Sequence, residues 1–312
     1  MTGRRPASSG RRPASSGRGT GRSAGHHGEL LQGRFRCPVL DECPGLVTVP
    51  NGTVGSVAVF TPDTGGRVRI RSDGDARDLE KARRAAEATL AHLRAHGAPR
   101  FSGGELRITR TTAVGLGLGS STADVLAAVR AVADSGGADL DTDTVARLAV
   151  GAEGASDPLW SDRPILFAHR HGHVIEELGP ELPRMLLVRC VLGGPVDTLS
   201  LAPAGTGAVD EYEELRALLR RAVADGDAAG VAAVATRSAR LNQGRHYKPE
   251  LDRLIAAGER AGALGVQVAH SGNVAGLLFA HTFPERVRRA ADRVRADGFR
   301  VDAEPLPIGG AA

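Results

Sequence analysis

Hydrophobic and polar residues alternate in two valine-rich stretches, residues 46–60 and 66–71. A two-residue period of this kind is typical of β-strands that bury one face. We expect turns at Asn51-Gly52 and Gly65-Gly66, where glycine permits tight backbone conformations. Shorter apolar runs predict further strands at residues 105–109, 165–168, 173–178, 185–192, 266–269, 275–279 and 300–304, with a hairpin turn at His171-Gly172.

A helical period replaces this alternation over residues 78–96. One face of the predicted helix collects the apolar side chains of Leu79, Ala82, Ala86, Leu90 and Leu93. Asp78 is the predicted N-cap, and Gly97 with Pro99 ends the helix. The same spacing predicts helices at residues 121–133, 141–150, 211–224, 228–240, 249–263 and 284–296.

Strands and helices are mixed in both halves of the chain, and several strands form hairpins. This arrangement favours two α+β domains over one doubly wound sheet. We predict a disordered basic tail at residues 1–24, an N-terminal domain at residues 25–178 and a C-terminal domain at residues 179–312.

Composition narrows the range of functions. Hydrophobic residues make up 41% of the 312 residues, enough for a sizeable core, whereas 3% aromatic residues argue against base stacking on single-stranded nucleic acid. The net charge of +4 comes from residues 1–24, which hold six arginines and no acid; the rest of the chain has 34 basic and 36 acidic residues. This tail repeats a Gly-Arg-Arg-Pro-Ala-Ser-Ser heptapeptide and is typical of solvated low-complexity sequence. We therefore expect no specific nucleic-acid partner.

The chain also lacks the sequence marks of a membrane or secreted protein. No apolar run is long enough to span a membrane, and the N-terminus has no apolar signal core. An odd number of cysteines, three, indicates a reducing, cytoplasmic setting. The spacing of Cys37 and Cys43 fits no common zinc pattern, and a hairpin turn interrupts the alternating His169, His171 and His173, so we predict no metal at either place.

A glycine-rich loop, residues 115–119, leads from a predicted strand into the helix at residues 121–133. Its glycines allow close backbone approach, and the helix N-terminus offers unpaired N–H groups and the positive end of a dipole. Together these features predict an anion site suited to a polyphosphate. Ser120, Ser121 and Thr122 add hydroxyl groups that can cap the helix, contact phosphate or bind Mg²⁺. The loop alone is equally compatible with a simple capping turn.

Two well-known phosphate loops do not match this segment. A Walker A loop requires a lysine, which is absent here. A dinucleotide fingerprint starting at Gly115 would need glycine or alanine at Ser120, and one starting at Gly117 would need it at Thr122.

The loop does resemble another one. Residues 117–123, Gly-Leu-Gly-Ser-Ser-Thr-Ala, are similar to the ATP loop of the GHMP kinase superfamily, which includes galactokinase, homoserine kinase and mevalonate kinase. Residues 28–33, 120–124 and 268–277 resemble three motifs of its L-threonine kinase branch. The order and spacing of these motifs agree over residues 25–310.

The resemblance implies a two-domain GHMP-kinase-like fold, with an N-terminal ATP-binding domain and a C-terminal ferredoxin-like α/β sandwich. It implies ATP contacts from Gly115, Gly117, Leu118, Gly119, Ser120, Ser121 and Thr122. It also implies that Glu153 and Ser121 bind Mg²⁺, and that Asp157 acts as the base or orienter for the accepting hydroxyl. Substrate contacts are predicted at His27, Glu29, His270 and Ser271.

Three departures from the family pattern bear on these roles. Ala113 replaces the proline before the loop, and His27 replaces a cysteine before Gly-Glu-Leu. The segment from Glu153 to Asp157 is one residue longer than Glu-Pro-Thr-Asp in the branch, so Asp157 aligns only if the segment bulges. Pro158 disfavours helix at the residue before it, so we expect the helical turn to unwind there.

These observations predict an ATP- and Mg²⁺-dependent kinase for the side-chain hydroxyl of an amino acid, with L-threonine as the leading substrate. The branch that the sequence resembles makes O-phospho-L-threonine for cobalamin synthesis. The alternatives are homoserine, serine or a secondary-metabolite intermediate as substrate, and a non-catalytic nucleotide-binding regulator. DNA binding through the arginine tail is a further alternative, and the oligomeric state is open, with a homodimer as one option.

Overall fold

The computed structural model of the protein describes residues 17–71, 79–97, 101–111, 118–193, 209–244, 247–269 and 273–310. The strands are β1 (Gly19–Arg36), β2 (Glu42–Asp63), β3 (Val68–Arg71), β4 (Gly103–Arg110), β5 (Ile165–Ala168), β6 (His173–Glu177), β7 (Met185–Val191), β8 (Gly265–Val268), β9 (Val274–Ala280), β10 (Arg300–Val301) and β11 (Leu306–Ile308). The α-helices are α1 (Glu80–Ala95), α2 (Ser120–Ser135), α3 (Thr142–Glu153), α4 (Val209–Ala224), α5 (Ala228–Leu241), α6 (Leu251–Ala261) and α7 (Pro284–Ala296), and a 3-10 helix spans Asn242–Gly244. This mixture confirms the predicted α+β class.

The described strands form one mixed sheet with the order β10-β7-β9-β8-β1-β2-β4-β3. β11 pairs with β7, and the β5–β6 hairpin attaches to β2. Strands from both predicted domains therefore lie in one continuous sheet. Among the described residues, the two groups of strands join where Glu29 on β1 pairs with Val268 on β8.

β1 is a strand that the sequence pattern did not predict, and it changes where the fold begins. The strand starts with Gly19 opposite Phe60 of β2 and stays paired with β2 along most of its length. Residues 19–24 thus belong to the sheet, so their assignment to the disordered tail at residues 1–24 was wrong.

Glycines explain both the position of β1 and its absence from the prediction. A side-chain carbon at Gly21 would lie 2.0 Å from the carbonyl oxygen of Ala127 on α2, and one at Gly19 would lie 2.1 Å from that of Ala131. Only glycine allows the backbones of β1 and α2 to approach so closely. Because glycine is depleted in ordinary strands, the residues that enable this packing also hide the strand from pattern analysis.

β2 continues through Asn51-Gly52, where we predicted a turn. The side-chain oxygen of Asn51 accepts hydrogen bonds from the backbone N–H and the hydroxyl of Thr53, at 3.0 and 2.7 Å. This Asx turn produces an irregularity in the pairing with β1 rather than a reversal of the chain. The predicted turn at Gly65-Gly66 is confirmed, since it lies between β2 and β3.

The predicted apolar face of the first helix is also confirmed. Its buried residues include Leu79, Ala82, Ala86, Leu90 and Leu93. Asp78 and Pro99, the predicted start and stop residues, lie outside the described residues. At α3, Asp141 is the N-cap, since its carboxylate accepts a hydrogen bond from the Thr144 N–H at 2.7 Å.

Large apolar clusters hold the helices on the sheet. One cluster packs α4 and α5 against β1, β2 and β7 around Leu31, Leu187 and Leu215. A second packs α6 and α7 against β7, β8 and β9, and a third joins α1 and α2 to β2 and β4. Within the described ranges, no helix combines the length and apolar character that crossing a membrane requires.

The placement of residues 19–24 in the fold makes a stability prediction. Gly21→Ala should lower the free energy of unfolding by roughly 1–3 kcal/mol, because the added methyl group overpacks the contact with α2. Urea denaturation measures this change. Thr20→Ala, at an exposed position of the same strand, should stay within about 0.5 kcal/mol of the parent, and equal effects of the two substitutions would contradict the assignment.

Candidate active site

The first turn of α2 is the centre of the candidate site. Its N-cap, Gly119, has a left-handed φ of 70° and no side chain with which to cap the leading amide groups. The backbone N–H of His26 donates to the carbonyl of Leu118 at 3.2 Å, which fixes the preceding loop residue to β1. Leu118 also packs with Ala269 and Val274, which belong to the motif at residues 268–277. The predicted ATP-loop residues Gly115 and Gly117 lie outside the described residues.

A buried ion pair anchors the same helical turn to the sheet. A guanidinium nitrogen of Arg110 lies 2.6 Å from the carboxylate of Asp124, and the hydroxyl of Ser56 donates to the same carboxylate at 2.6 Å. These contacts tie α2 to β4 and β2. The aspartate of the loop motif thus has a structural partner on each of two strands.

Glu153, at the end of α3, contacts two of the three hydroxyl groups that open α2. Ser121 donates to its Oε2 and Thr122 to its Oε1, each at 2.9 Å. Gly154 ends the helix with a left-handed φ of 80° and turns the chain away. The structure therefore brings together the two residues predicted to bind Mg²⁺, Glu153 and Ser121.

Asp157 follows in the unwound segment and reaches the same place. Its Oδ2 lies 3.1 Å from Nε2 of His26 and 3.4 Å from the hydroxyl of Thr122, and its Oδ1 accepts from Thr48 at 3.4 Å. The carboxylate side chain keeps 18% of its surface exposed. The extra residue between the two acids is accommodated because α3 ends at Glu153, so that both acids approach Thr122.

The two acids have opposite electrostatic environments. Burial, together with the negative charge of Asp157, raises the pKa of Glu153 to about 7. Burial acts in the same direction on Asp157, but the ring of His26 and the hydroxyl of Thr122 outweigh it and hold the pKa of Asp157 below its usual range. At neutral pH Asp157 is therefore ionised, while Glu153 is close to half protonated.

His26 is subject to two opposing influences. Burial disfavours its charged form, yet the carboxylates of Asp157 and Glu29 raise the pKa of His26 to about 9. The backbone N–H of Gly28, however, donates to Nδ1 at 2.9 Å. Because Nδ1 faces the Gly28 amide, Nε2 is the ring nitrogen that donates to Asp157.

The other residues predicted to contact the substrate do not all lie beside Asp157. Glu29 is buried near His26, with 4.0 Å between Oε1 and Nδ1. His27 is buried against β8, where its Nδ1 lies 3.1 Å from the side-chain oxygen of Gln267, and burial lowers its pKa to about 4. A neutral ring in that position is a packing partner of β8. His270 and Ser271 lie outside the described residues.

Sequence reasoning missed three polar residues of this cluster. His26 precedes the residue that departs from the family pattern, and nothing in the spacing distinguished it. Thr48 is one of many polar positions on an alternating strand. Lys248 is buried after the 3-10 helix, close enough to Glu29 for their charges to interact, and burial lowers its pKa to about 8. Its deep burial is the feature that marks Lys248 as a candidate site residue, and burial cannot be read from the sequence.

The donor atoms present fit a nucleotide and its metal. The start of α2 offers backbone N–H groups with no side-chain cap at Gly119, which suits phosphate. Beside it, Ser121, Thr122, Glu153 and Asp157 supply only oxygen atoms, the ligands that Mg²⁺ prefers.

Two family models match the chain. Residues 80–164 match the GHMP kinases N terminal domain, and residues 214–298 match GHMP kinases C terminal. These segments together make up more than half of the sequence. The chain belongs to the GHMP kinase family. This match confirms both the resemblance and the GHMP-kinase-like fold predicted from the sequence. GHMP kinases are phosphotransferases that use ATP as the phosphate donor.

Individual proteins resemble the chain to different extents. It is 30% identical over 178 residues to an L-threonine kinase of Citrobacter freundii, a match that spans 55% of this chain and 60% of that enzyme. Homoserine kinase from Cytophaga hutchinsonii has a similar structure, with a TM-score of 0.63, 15% identity and 98% coverage of both chains. Mevalonate kinase from L. major, in complex with R-mevalonate, gives a TM-score of 0.61 at 16% identity, covering 96% of this chain and 98% of that one. These two structures support the GHMP kinase fold.

The raised pKa of Glu153 predicts a pH-dependent cost to stability. As pH rises from the ordinary value of 4.5 towards 7, the unfolded chain loses this proton before the folded chain does, so stability falls and the cost is complete above pH 7. Without nucleotide or metal, Glu153→Gln should therefore be more stable than the parent at pH 8, by on the order of 1–3 kcal/mol, with a smaller gain at pH 5.

Urea unfolding at the two pH values measures this difference. Glu181→Gln, at an exposed position, is the matched control and should give no gain that depends on pH. A destabilised Glu153→Gln protein at pH 8 would show that the carboxylate is not strained by its surroundings.

Proposed function

We propose that this protein is an ATP-dependent kinase that transfers the γ-phosphoryl group to the side-chain hydroxyl of L-threonine, forming O-phospho-L-threonine. The observation that carries the proposal is the convergence of Glu153 and Asp157 on Thr122 at the uncapped start of α2. Membership of the GHMP kinase family supports phosphoryl transfer. The 30% identity to an L-threonine kinase supports this choice of alcohol.

In this proposal the start of α2 holds the phosphates of ATP. Its amide groups and helix dipole face the anion, and Gly119 has no side chain that could cap those amides. Glu153 and Ser121 would hold Mg²⁺, which when bound supplies positive charge against the phosphate oxygens. Binding of a cation would also favour the ionised form of Glu153, whose proton is weakly held near neutral pH.

Asp157 would accept the proton of the substrate hydroxyl as the oxygen attacks the γ-phosphorus. Its lowered pKa keeps it ionised and ready to accept. His26 is a positioning residue, because its Nε2 proton holds Oδ2 in place while Oδ1 remains beside Thr48. The threonine hydroxyls around the carboxylate further limit its rotation.

An amino acid carries one positive and one negative group, and the site offers one of each sign. Glu29 supplies a buried carboxylate and Lys248 a buried ammonium group, and each charge influences the other. We assign them to the ammonium and carboxylate groups of the substrate. Gln243 supports this arrangement, since its amide side chain bonds the backbone N–H and C=O of Lys248 at 2.8 and 2.9 Å.

The proposal includes the cellular compartment and the metabolic role of the reaction. The three cysteines are free, which is compatible with a reducing cytoplasm. The resemblance to the L-threonine kinase branch supports a role for the product in cobalamin synthesis. Homoserine is the second candidate substrate, because a homoserine kinase shares the fold over nearly the whole chain.

Purified protein with ATP and Mg²⁺ should release ADP fastest, by kcat/KM, with L-threonine in a panel that includes L-homoserine and L-serine. Asp157→Asn should lower kcat by roughly 10²- to 10⁴-fold, because it removes the proton acceptor. Nucleotide binding by the variant should be retained. Coupled ADP detection and calorimetry measure the two quantities.

Asp162→Asn, an exposed acid five residues further along, should leave kcat unchanged. Binding of ATP without turnover of any alcohol would instead identify a nucleotide-binding regulator. A clear preference for homoserine would keep the kinase and change its substrate.

His26→Ala should shift the acid limb of the kcat/KM profile to higher pH. The parent enzyme keeps Asp157 ionised through the hydrogen bond from His26, so loss of that bond raises the pKa of the carboxyl group and protonates it earlier as pH falls. Steady-state rates between pH 5 and 9 test this. An unshifted profile with a uniformly reduced kcat would show that His26 acts only in packing.

A further inference from the structure

We propose that Cys37, Cys43 and His173 form a binding site for a thiophilic transition-metal ion, with Zn²⁺ as the ion that the ligand set fits best. The site is separate from the oxygen-rich cluster around Glu153 and serves a different chemistry. Spacing along the sequence did not predict it. The structure completes the pair of cysteines with a histidine from another hairpin.

The fold brings the three side chains together from two hairpins. Cys37 follows the end of β1 and Cys43 lies at the start of β2, so both thiols lie at the tip of the β1–β2 hairpin. The backbone N–H of Cys37 donates to the carbonyl of Asp41 at 3.4 Å and closes the loop between these strands. His173 is the first residue of β6, which reaches β2 through β5.

The distances are those of a metal site that needs little adjustment. Sγ of Cys37 lies 2.9 Å from Nε2 of His173, and one ligand atom from each of the three residues lies within 4.8 Å of the others. Zn–S bonds of about 2.3 Å and Zn–N bonds of about 2.0–2.1 Å place tetrahedral ligand atoms roughly 3.5–3.8 Å apart. Small side-chain rotations therefore suffice to move the three atoms to these separations.

The chemistry of the three ligand groups determines which class of ion the site favours. Two thiolates and an imidazole are soft or borderline ligands, which favour Zn²⁺ and Cu⁺ over Mg²⁺. On binding, each thiol exchanges its S–H bond for an S–metal bond, and the two protons leave to solvent. Neither the metal nor the sulfur changes oxidation state, so the step needs no oxidant.

The surroundings permit a cation to enter. Cys43 is buried, whereas Cys37 and His173 are partly exposed. Cys37 borders a surface cleft of about 550 Å³ that is also lined by Arg36, Pro38, Asp41, Glu42 and Arg216. Its arginines do not repel a cation strongly, because Arg36 is paired with Asp210 and Arg216 with Glu176 and Glu213. The cleft also gives water access as a fourth ligand.

A metal here would join the tip of the β1–β2 hairpin to the β5–β6 hairpin. The ligands come from segments far apart in sequence and meet only in the folded chain, so binding of the ion would add to the free energy of folding. Zinc should then raise the thermal unfolding temperature of the protein. That readout is independent of kinase activity.

The test uses full-length, tag-free protein, treated with chelator and kept reduced with a non-thiol phosphine. Titration with Co²⁺ should give one bound ion per chain, with the visible bands of tetrahedral cobalt and a thiolate-to-metal charge-transfer band. Zn²⁺ should abolish both signals. Cys37→Ser and His173→Ala should weaken binding by more than the roughly 10- to 100-fold that loss of an outer-shell partner costs.

Two controls keep the result specific. His171→Ala changes a neighbouring histidine, and Cys190→Ala removes the remaining cysteine, which is buried in the core of α6 and α7; both should retain the cobalt spectrum. Because Cys43 is buried, the partly exposed Cys37 and His173 carry the test, and circular dichroism verifies their folding.

Three outcomes would overturn the proposal. The first is the absence of a stoichiometric Co²⁺ or Zn²⁺ complex in the reduced protein. The second is a cobalt spectrum that persists in Cys37→Ser and His173→Ala. The third is a Cys37–Cys43 disulfide, detected by mass spectrometry after oxidation, in a protein whose reduced form binds no metal; this would identify a redox pair instead.

Discussion

The close contact between the backbones of β1 and α2 is the constraint on which the candidate site depends. Gly19 and Gly21 let the helix lie against the strand at a distance that any side chain would prevent. Because β1 also carries His26 and Glu29, this contact fixes the distance between the proposed phosphate-binding end of α2 and the polar residues of the strand. The site is thus assembled by packing between two elements rather than within one loop.

Glu153 and Asp157 illustrate how one small region can give two carboxyl groups different tasks. Both are partly buried and both contact Thr122, yet burial dominates at Glu153, whereas the charge of His26 and its hydrogen bond dominate at Asp157. In the proposed mechanism, opposite shifts of this kind separate an ionised proton acceptor from an acid that becomes fully charged once a cation arrives. The difference follows from His26, which donates to Asp157, whereas hydroxyl groups donate to Glu153.

Much of the fold was predictable because most elements follow simple periods. The apolar face of α1 and the β5–β6 hairpin need only local pattern and turn chemistry. β1 was not predictable in this way, because its glycines serve contact with α2 and remove the alternation that marks a strand. The predicted turn at Asn51-Gly52 was wrong for the opposite reason, because these turn-forming residues produce a local irregularity inside a continuous strand.

The residues of the candidate site also divide into those that the sequence predicted and those that it did not. Ser121, Thr122 and Glu153 were predicted through motifs whose residues are close in sequence or shared with a family. His26, Thr48 and Lys248 join them from separate elements, and neither spacing nor composition carries that information. The distinction between His26 and His27 shows the limit clearly. The motif drew attention to His27, whereas an irregular stretch of β1 directs its neighbour to Asp157.

Glu29 holds an unusual position, because the residue that pairs β1 with β8 is also an acid of the candidate site. A molecule that binds its carboxylate would therefore press directly on the seam between the two halves of the sheet. Recognition and architecture share one residue there, since its backbone joins the two halves of the sheet and its side chain belongs to the candidate site. A ligand that shifts the Glu29 backbone would therefore alter the join between β1 and β8.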